Sequence, residues 1–162
     1  MTSTANAQPV ATRSAAPETA DAPFNMDWSD RFAVGIEIID QQHQVLFRLI
    51  DQLAKAIQND TSESELEIIF GRLLEYTRSH FATEEKLMAE HGYPADQAHH
   101  VSHRALEQSL ATLIERAGGG EPLVSLQAMN FLRQWLYHHI GDVDRQLAEF
   151  LKAHSSNTRR TT

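Results

Sequence analysis

Cysteine is absent from the 162 residues, which removes disulfides, thiolate zinc sites, iron-sulfur clusters and covalently attached c-type haem from the structures this chain can build. Any metal it binds must be held by nitrogen and oxygen. Apolar runs of transmembrane length are missing, and no basic start precedes an apolar stretch, so the chain reads as neither membrane-spanning nor secreted. A soluble cytoplasmic protein is the expectation. Basic residues are scarce, 14 Lys and Arg against 22 Asp and Glu for a net charge of -8, and they form no block able to neutralise a row of phosphates. Nucleic acid is not an expected partner. The alternation of apolar and polar residues that marks half-buried strands is also lacking. What the chain does have is 41% hydrophobic side chains, enough for one domain with a core, and nine histidines, the side chain most often used to hold transition metals.

Three regions follow from composition. Residues 1–24 are rich in Ala, Thr, Ser and Pro, with Pro9, Pro17 and Pro23 opposing any helix, and are expected to be a disordered extension. Residues 155–162 are polar and aperiodic and are expected to be a flexible tail. Between them, 25–154 carry four helical stretches separated by turn residues. The first, about 40–58, buries Ile39, His43, Leu46, Ile50, Leu53 and Ile57 on one stripe. The second, about 64–91, repeats that rhythm through Leu66, Phe70, Leu73, Thr77, His80, Glu84, Leu87 and His91, and stops at Gly92. The third opens after Pro94 with His99, His103, Leu106, Leu110, Leu113 and Ala117 before Gly118. The fourth starts near Pro122 and presents Ala128, Leu132, Trp135, Leu136 and His139; Gly141 interrupts it, and an amphipathic piece continues to about Ala153. The expected fold is all-α, an up-down-up-down four-helix bundle.

Histidines and a glutamate replace leucines on these stripes, and they do so at one end of an antiparallel bundle. His43 follows a helix start, His80 and Glu84 precede an end, His99 and His103 follow a start, and His139 precedes a break. Burying them without partners would cost several kcal/mol per group. A bound cation removes the conflict. His80 with Glu84, and His99 with His103, stand four apart and so share a helix face. A seventh ligand is expected from the 142–144 segment, where Asp142 suits an unbroken helix and Asp144, about 140° round from His139, requires a deformation that Gly141 offers; helix geometry leaves both open. Five imidazoles and two carboxylates exceed the about four ligands of zinc and match two octahedral metals. Two bridging carboxylates and one shared oxo or hydroxo then leave one open position of about twelve. Phe47, Phe81, Leu106, Trp135 and Leu136 wall that position, which makes iron and dioxygen the natural pair.

Over residues 26–152 the chain resembles the hemerythrin family, specifically the single-domain bacterial hemerythrins. The resemblance is carried by Trp28, Gly35-Ile36, Ile39-Asp40-Gln41-Gln42-His43, His80-Phe81-x-x-Glu84-Glu85, Tyr93-Pro94, His99-x-x-x-His103 and Trp135-Leu136-x-x-His139-Ile140-x-x-x-Asp144. It implies two non-haem iron ions with a bridging oxo or hydroxo, binding dioxygen by an internal, reversible two-electron transfer. By the family pattern His99, His103 and His139 hold one iron, His43 and His80 the other, and Glu84 and Asp144 bridge them. The resemblance thus chooses Asp144 over Asp142. It also makes Trp135 and Leu136 the apolar wall of the oxygen site.

The remaining polar residues take plainer expectations. Glu85 is expected to be solvated, His100 and His138 to be neighbours of ligands, His91 to face the helix dipole before Gly92, and Asp40 to be an N-cap. A binder for carriage, storage, sensing or scavenging is the expected function, not an enzyme. A diiron oxidase or ferroxidase of ferritin type is the runner-up, but it calls for Glu-x-x-His, which does not occur. A sensory or regulatory module is the third.

Overall fold

The computed structural model describes residues 26–59, 61–117 and 123–158; the expected extension at 1–24 lies outside the described residues, as do 159–162 of the expected tail. Five α-helical segments follow one another: α1 (Glu37–Gln58), α2 (Glu63–His91), α3 (Asp96–Ala117), α4 (Leu123–His138) and α5 (Arg145–Thr158). A six-residue π turn, His139–Asp144, joins α4 to α5, and a 3-10 turn, Asp30–Phe32, precedes α1. No strand occurs among the described residues. The helices pack α1 on α2, α2 on α3, α3 on α4 and α4 back on α1, which closes the expected antiparallel bundle.

The periodicity explains the packing. Ile39, Leu46, Ile50 and Leu53 of α1 meet Phe70, Leu73 and Phe81 of α2, Leu106 and Leu110 of α3, and Met129, Leu132 and Leu136 of α4 in one buried core. Gly92 ends α2 in the left-handed region at φ +65°, where its N–H bonds Met88 O.

The helix boundaries differ from the expected ones in two places. α1 begins a turn before Asp40, with Ile36 at the N-cap. Asp40 is therefore not the N-cap; its carboxylate accepts the N–H groups of Val34, at 2.7 Å, and Gly35, at 2.9 Å. Gly35, at φ +79°, turns both N–H groups back onto the first helical turn, where a negative charge also suits the helix dipole. A side chain at Gly35 would meet Lys152, whose Nζ reaches from α5 to donate to Val34 O. At the other end, α5 continues past Ala153 to Thr158, because Ser, Asn and Thr carry no Gly or Pro stop signal.

An N-terminal arm covers the seam between α1 and α4. Met26, Phe32 and Val34 are buried, Phe32 stacks on Tyr137 at 5.1 Å, and Trp28 stands edge-on to Phe47 at 5.4 Å.

Candidate metal centre

The structure brings all seven expected ligand residues to one end of the bundle. His43, His80, Glu84, His99, His103, His139 and Asp144 are each at most 2% exposed, which is exceptional for charged and imidazole side chains. Their donor atoms form two overlapping groups within which all atoms lie within 4.8 Å of one another: Glu84, His99, His103, His139 and Asp144 in one, His43, His80, Glu84 and Asp144 in the other. Both carboxylates belong to both groups.

The contacts are close but not hydrogen-bonded. His43 Nε2 lies 3.1 Å from Asp144 Oδ2, His139 Nε2 lies 3.0 Å from Asp144 Oδ1, and His103 Nε2 lies 3.1 Å from Glu84 Oε2. His99 Nε2 is shared, 3.3 Å from Glu84 and 3.2 Å from Asp144, and His80 Nε2 stands further off at 3.7 Å from Glu84 Oε1. Nonetheless both oxygens of Glu84, both of Asp144, and Nε2 of His43, His99, His103 and His139 have no hydrogen-bond partner. Lone pairs converging on a shared buried space are costly by themselves and are the arrangement metal coordination requires. The donor set therefore fits a pair of metal ions.

Asp144 reaches this space because the chain between it and His139 is wound as a π turn, whose wider winding brings position +5 back toward the starting face. Asp142 points away, exposed, and pairs with His138 Nδ1 at 2.8 Å. Gly141 is not the cause of the deformation: its φ is not positive and a Cβ there would meet nothing within 4 Å, so the winding itself, rather than a glycine-only conformation, turns Asp144 inward.

Burial and mutual charge set the protonation of the metal-free cluster. Burial, with His43 beside it, depresses His80 to about 3, and burial with His139 and His99 depresses His103 to about 2. Burial also lowers His139. For His99 burial is outweighed by the adjacent Asp144 and Glu84, which raise it to about 9. Burial and the charge of Asp144 raise Glu84 to about 8, whereas Asp144, despite burial, is held well below the carboxylate range by His139, His43 and His99. Two carboxylates this close do not both ionise readily without a cation.

Three residues that sequence reasoning did not assign to the site orient its imidazoles. His80 Nδ1 faces Gln42 Oε1 at 3.1 Å, and the Gln42 amide is fixed by donating to Thr83 Oγ1 at 3.0 Å; His80 Nδ1 is therefore the donor and Nε2 keeps its lone pair. His103 Nδ1 donates to Glu85 Oε1 at 3.1 Å, and His139 Nδ1 faces Ser102 Oγ at 3.1 Å. Each supporting residue adjoins a ligand on its own helix and serves a ligand on the next: α1 supports α2, α2 supports α3, and α3 supports the π turn. That adjacency is the signal that could have found them. Glu85 is thus not merely solvated, since it also accepts from the half-buried His100 at 2.8 Å. His91 lies exposed rather than on the buried stripe, with Nδ1 donating to Leu87 O at 3.0 Å.

Apolar groups close the site on the side facing the bundle centre. Phe81 stacks on His103 at 3.6 Å and Trp135 stacks on His139 at 4.1 Å. Leu46, Thr77, Leu106 and Leu136, each three residues from a ligand, line a cavity of ≈ 10 Å³, about the space of one water-sized molecule.

Comparison with known proteins gives concordant matches. The family model of the hemerythrin HHE cation binding domain matches residues 34–151. Bacteriohemerythrin of Stenotrophomonas maltophilia is 35% identical over 127 residues, 78% of this chain and 82% of that protein. Bacteriohemerythrin of Methylococcus capsulatus is 30% identical over 129 residues, 79% of this chain and 98% of that protein. The crystal structure of a wild-type hemerythrin superposes with a TM-score of 0.72 at 29% identity, covering 78% of this chain and 97% of that one.

Proposed function

The chain belongs to the hemerythrin family, whose non-haem diiron centre binds dioxygen, and from that premise we propose the following division of its ligands. His99, His103 and His139 would hold one iron, His43 and His80 the other, and Glu84 and Asp144 would serve both. The observation that carries this assignment is the pair of overlapping donor groups with both carboxylates in common. When bound, the two irons would supply a reversible two-electron exchange with dioxygen. The chain's own residues do the rest. Gln42 and Glu85 keep Nδ1 of His80 and His103 protonated, and Ser102 holds the His139 ring through its Nδ1, so that Nε2 of each faces inward. Trp135 and Leu136, with Leu46 and Leu106, keep water from the gas side, which favours release of dioxygen unchanged over its escape in reduced form.

Binding rather than turnover is the role these walls support, because none of the residues lining the cavity is an acid, a base or a histidine. The oxygen-binding unit is residues 25–154, acting in the cytoplasm; no helix among the described residues is long and apolar enough to cross a membrane. Residues 1–24 play no part in gas binding, so deleting them leaves oxygen affinity unchanged.

The test is metal analysis followed by gas exposure. About two irons per chain are expected, with a visible charge-transfer band that forms when the reduced protein meets air and fades under vacuum. One zinc per chain sinks the assignment, and rapid passage to an unreactive oxidised state favours an oxidase.

A further inference from the structure

The position of Asp144 depends on a winding that helices seldom adopt, and one side chain outside the ligand set grips the backbone where it is adopted. In an α-helix the N–H of Arg145 would serve Gly141 O. Here it bonds Asp142 O, and Gly141 O instead accepts from the Nε of Arg145's own guanidinium at 3.2 Å. The same guanidinium extends Nη2 to Arg31 O, at 3.1 Å, in the 3-10 turn of the N-terminal arm. Both acceptors are backbone carbonyls. The group therefore ties the π turn to the arm through the planar, two-directional donors that only Arg carries.

We propose that Arg145 is a positioning residue for the metal centre: by bridging Gly141 O and Arg31 O it holds the π turn in place and keeps the Asp144 carboxylate aimed at His43, His99 and His139. The alternative winding shows the stakes. Relaxation to a regular α-helix would carry Asp144 about 140° away from His139 and withdraw a shared ligand from both metal groups. The arm is then part of the site's support, because its carbonyl is one of the two anchors, and Phe32, the residue next to Arg31, is fixed by stacking on Tyr137.

This inference rests on Asp144 being a ligand, so the test includes that residue. Wild type, Arg145→Ala, Arg145→Lys, Asp144→Ala and, as a control for general destabilisation, Leu53→Ala are loaded anaerobically with ferrous iron. Release to a ferrous chelator is timed, and a parallel set is reconstituted with cobalt(II) and its visible ligand-field spectrum recorded. Arg145→Ala is expected to release metal roughly tenfold faster than wild type and to alter the cobalt spectrum, as loss of an outer orienting group does. Arg145→Lys, with one compact ammonium in place of two separated donors, falls between. Leu53→Ala, although less stable, keeps the wild-type spectrum and release rate. Should Arg145→Ala fail to fold, Arg145→Lys carries the same comparison. A wild-type spectrum and release rate in the Arg145 variants overturns the proposal, as does equal acceleration in Leu53→Ala. If Asp144→Ala also releases at the wild-type rate, the ligand assignment itself has failed, a result distinct from failure of Arg145 alone.

Discussion

Removing the metal should cost this protein a large part of its stability, and the structure gives the size. Six ligand side chains, His43, Glu84, His99, His103, His139 and Asp144, present inward atoms without hydrogen-bond partners. Each unsatisfied buried polar group costs about 1–3 kcal/mol, more if charged. Two of the six relieve themselves, because Glu84, raised to about 8, and His99, raised to about 9, retain protons near neutrality and can donate to their neighbours. Each of those donations also satisfies one acceptor, so about two of the six groups stay unpaired, a penalty of about 2–6 kcal/mol against a typical domain stability of about 5–15 kcal/mol. At about 2–4 °C per kcal/mol for a chain of this size, the chelated protein should melt about 4–24 °C below the iron-loaded one. Calorimetry on both forms at one pH measures the difference. Hydrogen exchange locates it: protection should fall in α2 around His80 and Glu84, in α3 around His99 and in the π turn, while Leu53 and Leu113 at the opposite end stay protected. A metal-free protein melting within about 3 °C of the loaded form would refute the reasoning, since the converging lone pairs would then carry no penalty for metal to relieve.

Other outcomes follow from the same geometry. Glu85→Ala, which frees His103 Nδ1, should weaken iron retention by about tenfold to a hundredfold in a chelator competition, and Glu85→Gln, which keeps an acceptor oxygen, should weaken it less; equal effects would deny Glu85 its orienting role. Iron uptake at neutral pH should release at least two protons per chain, those of His99 and Glu84, besides any from the water that supplies a bridging oxygen, whereas His80 and His103 are already neutral; an indicator dye in weak buffer that records none would contradict this. In the metal-free protein the depressed His80 and His103 contribute stability that is present above 6.5 and lost as pH falls toward 3, since the unfolded chain takes up protons there first; a melting temperature flat across that window would count against it. Gly141→Ala should raise stability by up to about 1 kcal/mol in denaturant titration without loss of iron, and iron loss would show that the π turn needs glycine after all.

The rods and the polar stripe were legible because helix burial repeats every three to four residues, so a His43 or Glu84 in a leucine slot announces itself from spacing alone. Asp144 was not legible in that way. A π turn inserts a change of winding with no composition signature, and at that position only the likeness to a known family separated Asp144 from Asp142. Gln42, Glu85 and Ser102 were hidden for a different reason: their bonds run between helices, and no periodicity within one helix reports what faces its neighbour. Asp40 was misread as an N-cap because its partners, Val34 and Gly35, belong to an arm whose path depends on tertiary contacts.

Only two tryptophans are present, and the fold has assigned them to different neighbourhoods. The indole of Trp135 lies face to face with the His139 imidazole, whereas that of Trp28 meets Phe47 beneath the arm. One fluorophore thus stands a single ring away from the centre, where a paramagnetic or redox-active ion quenches emission, and the other senses the arm. Paired single-tryptophan versions would let occupancy of the centre and docking of the arm be followed separately in the same cuvette, with no added label.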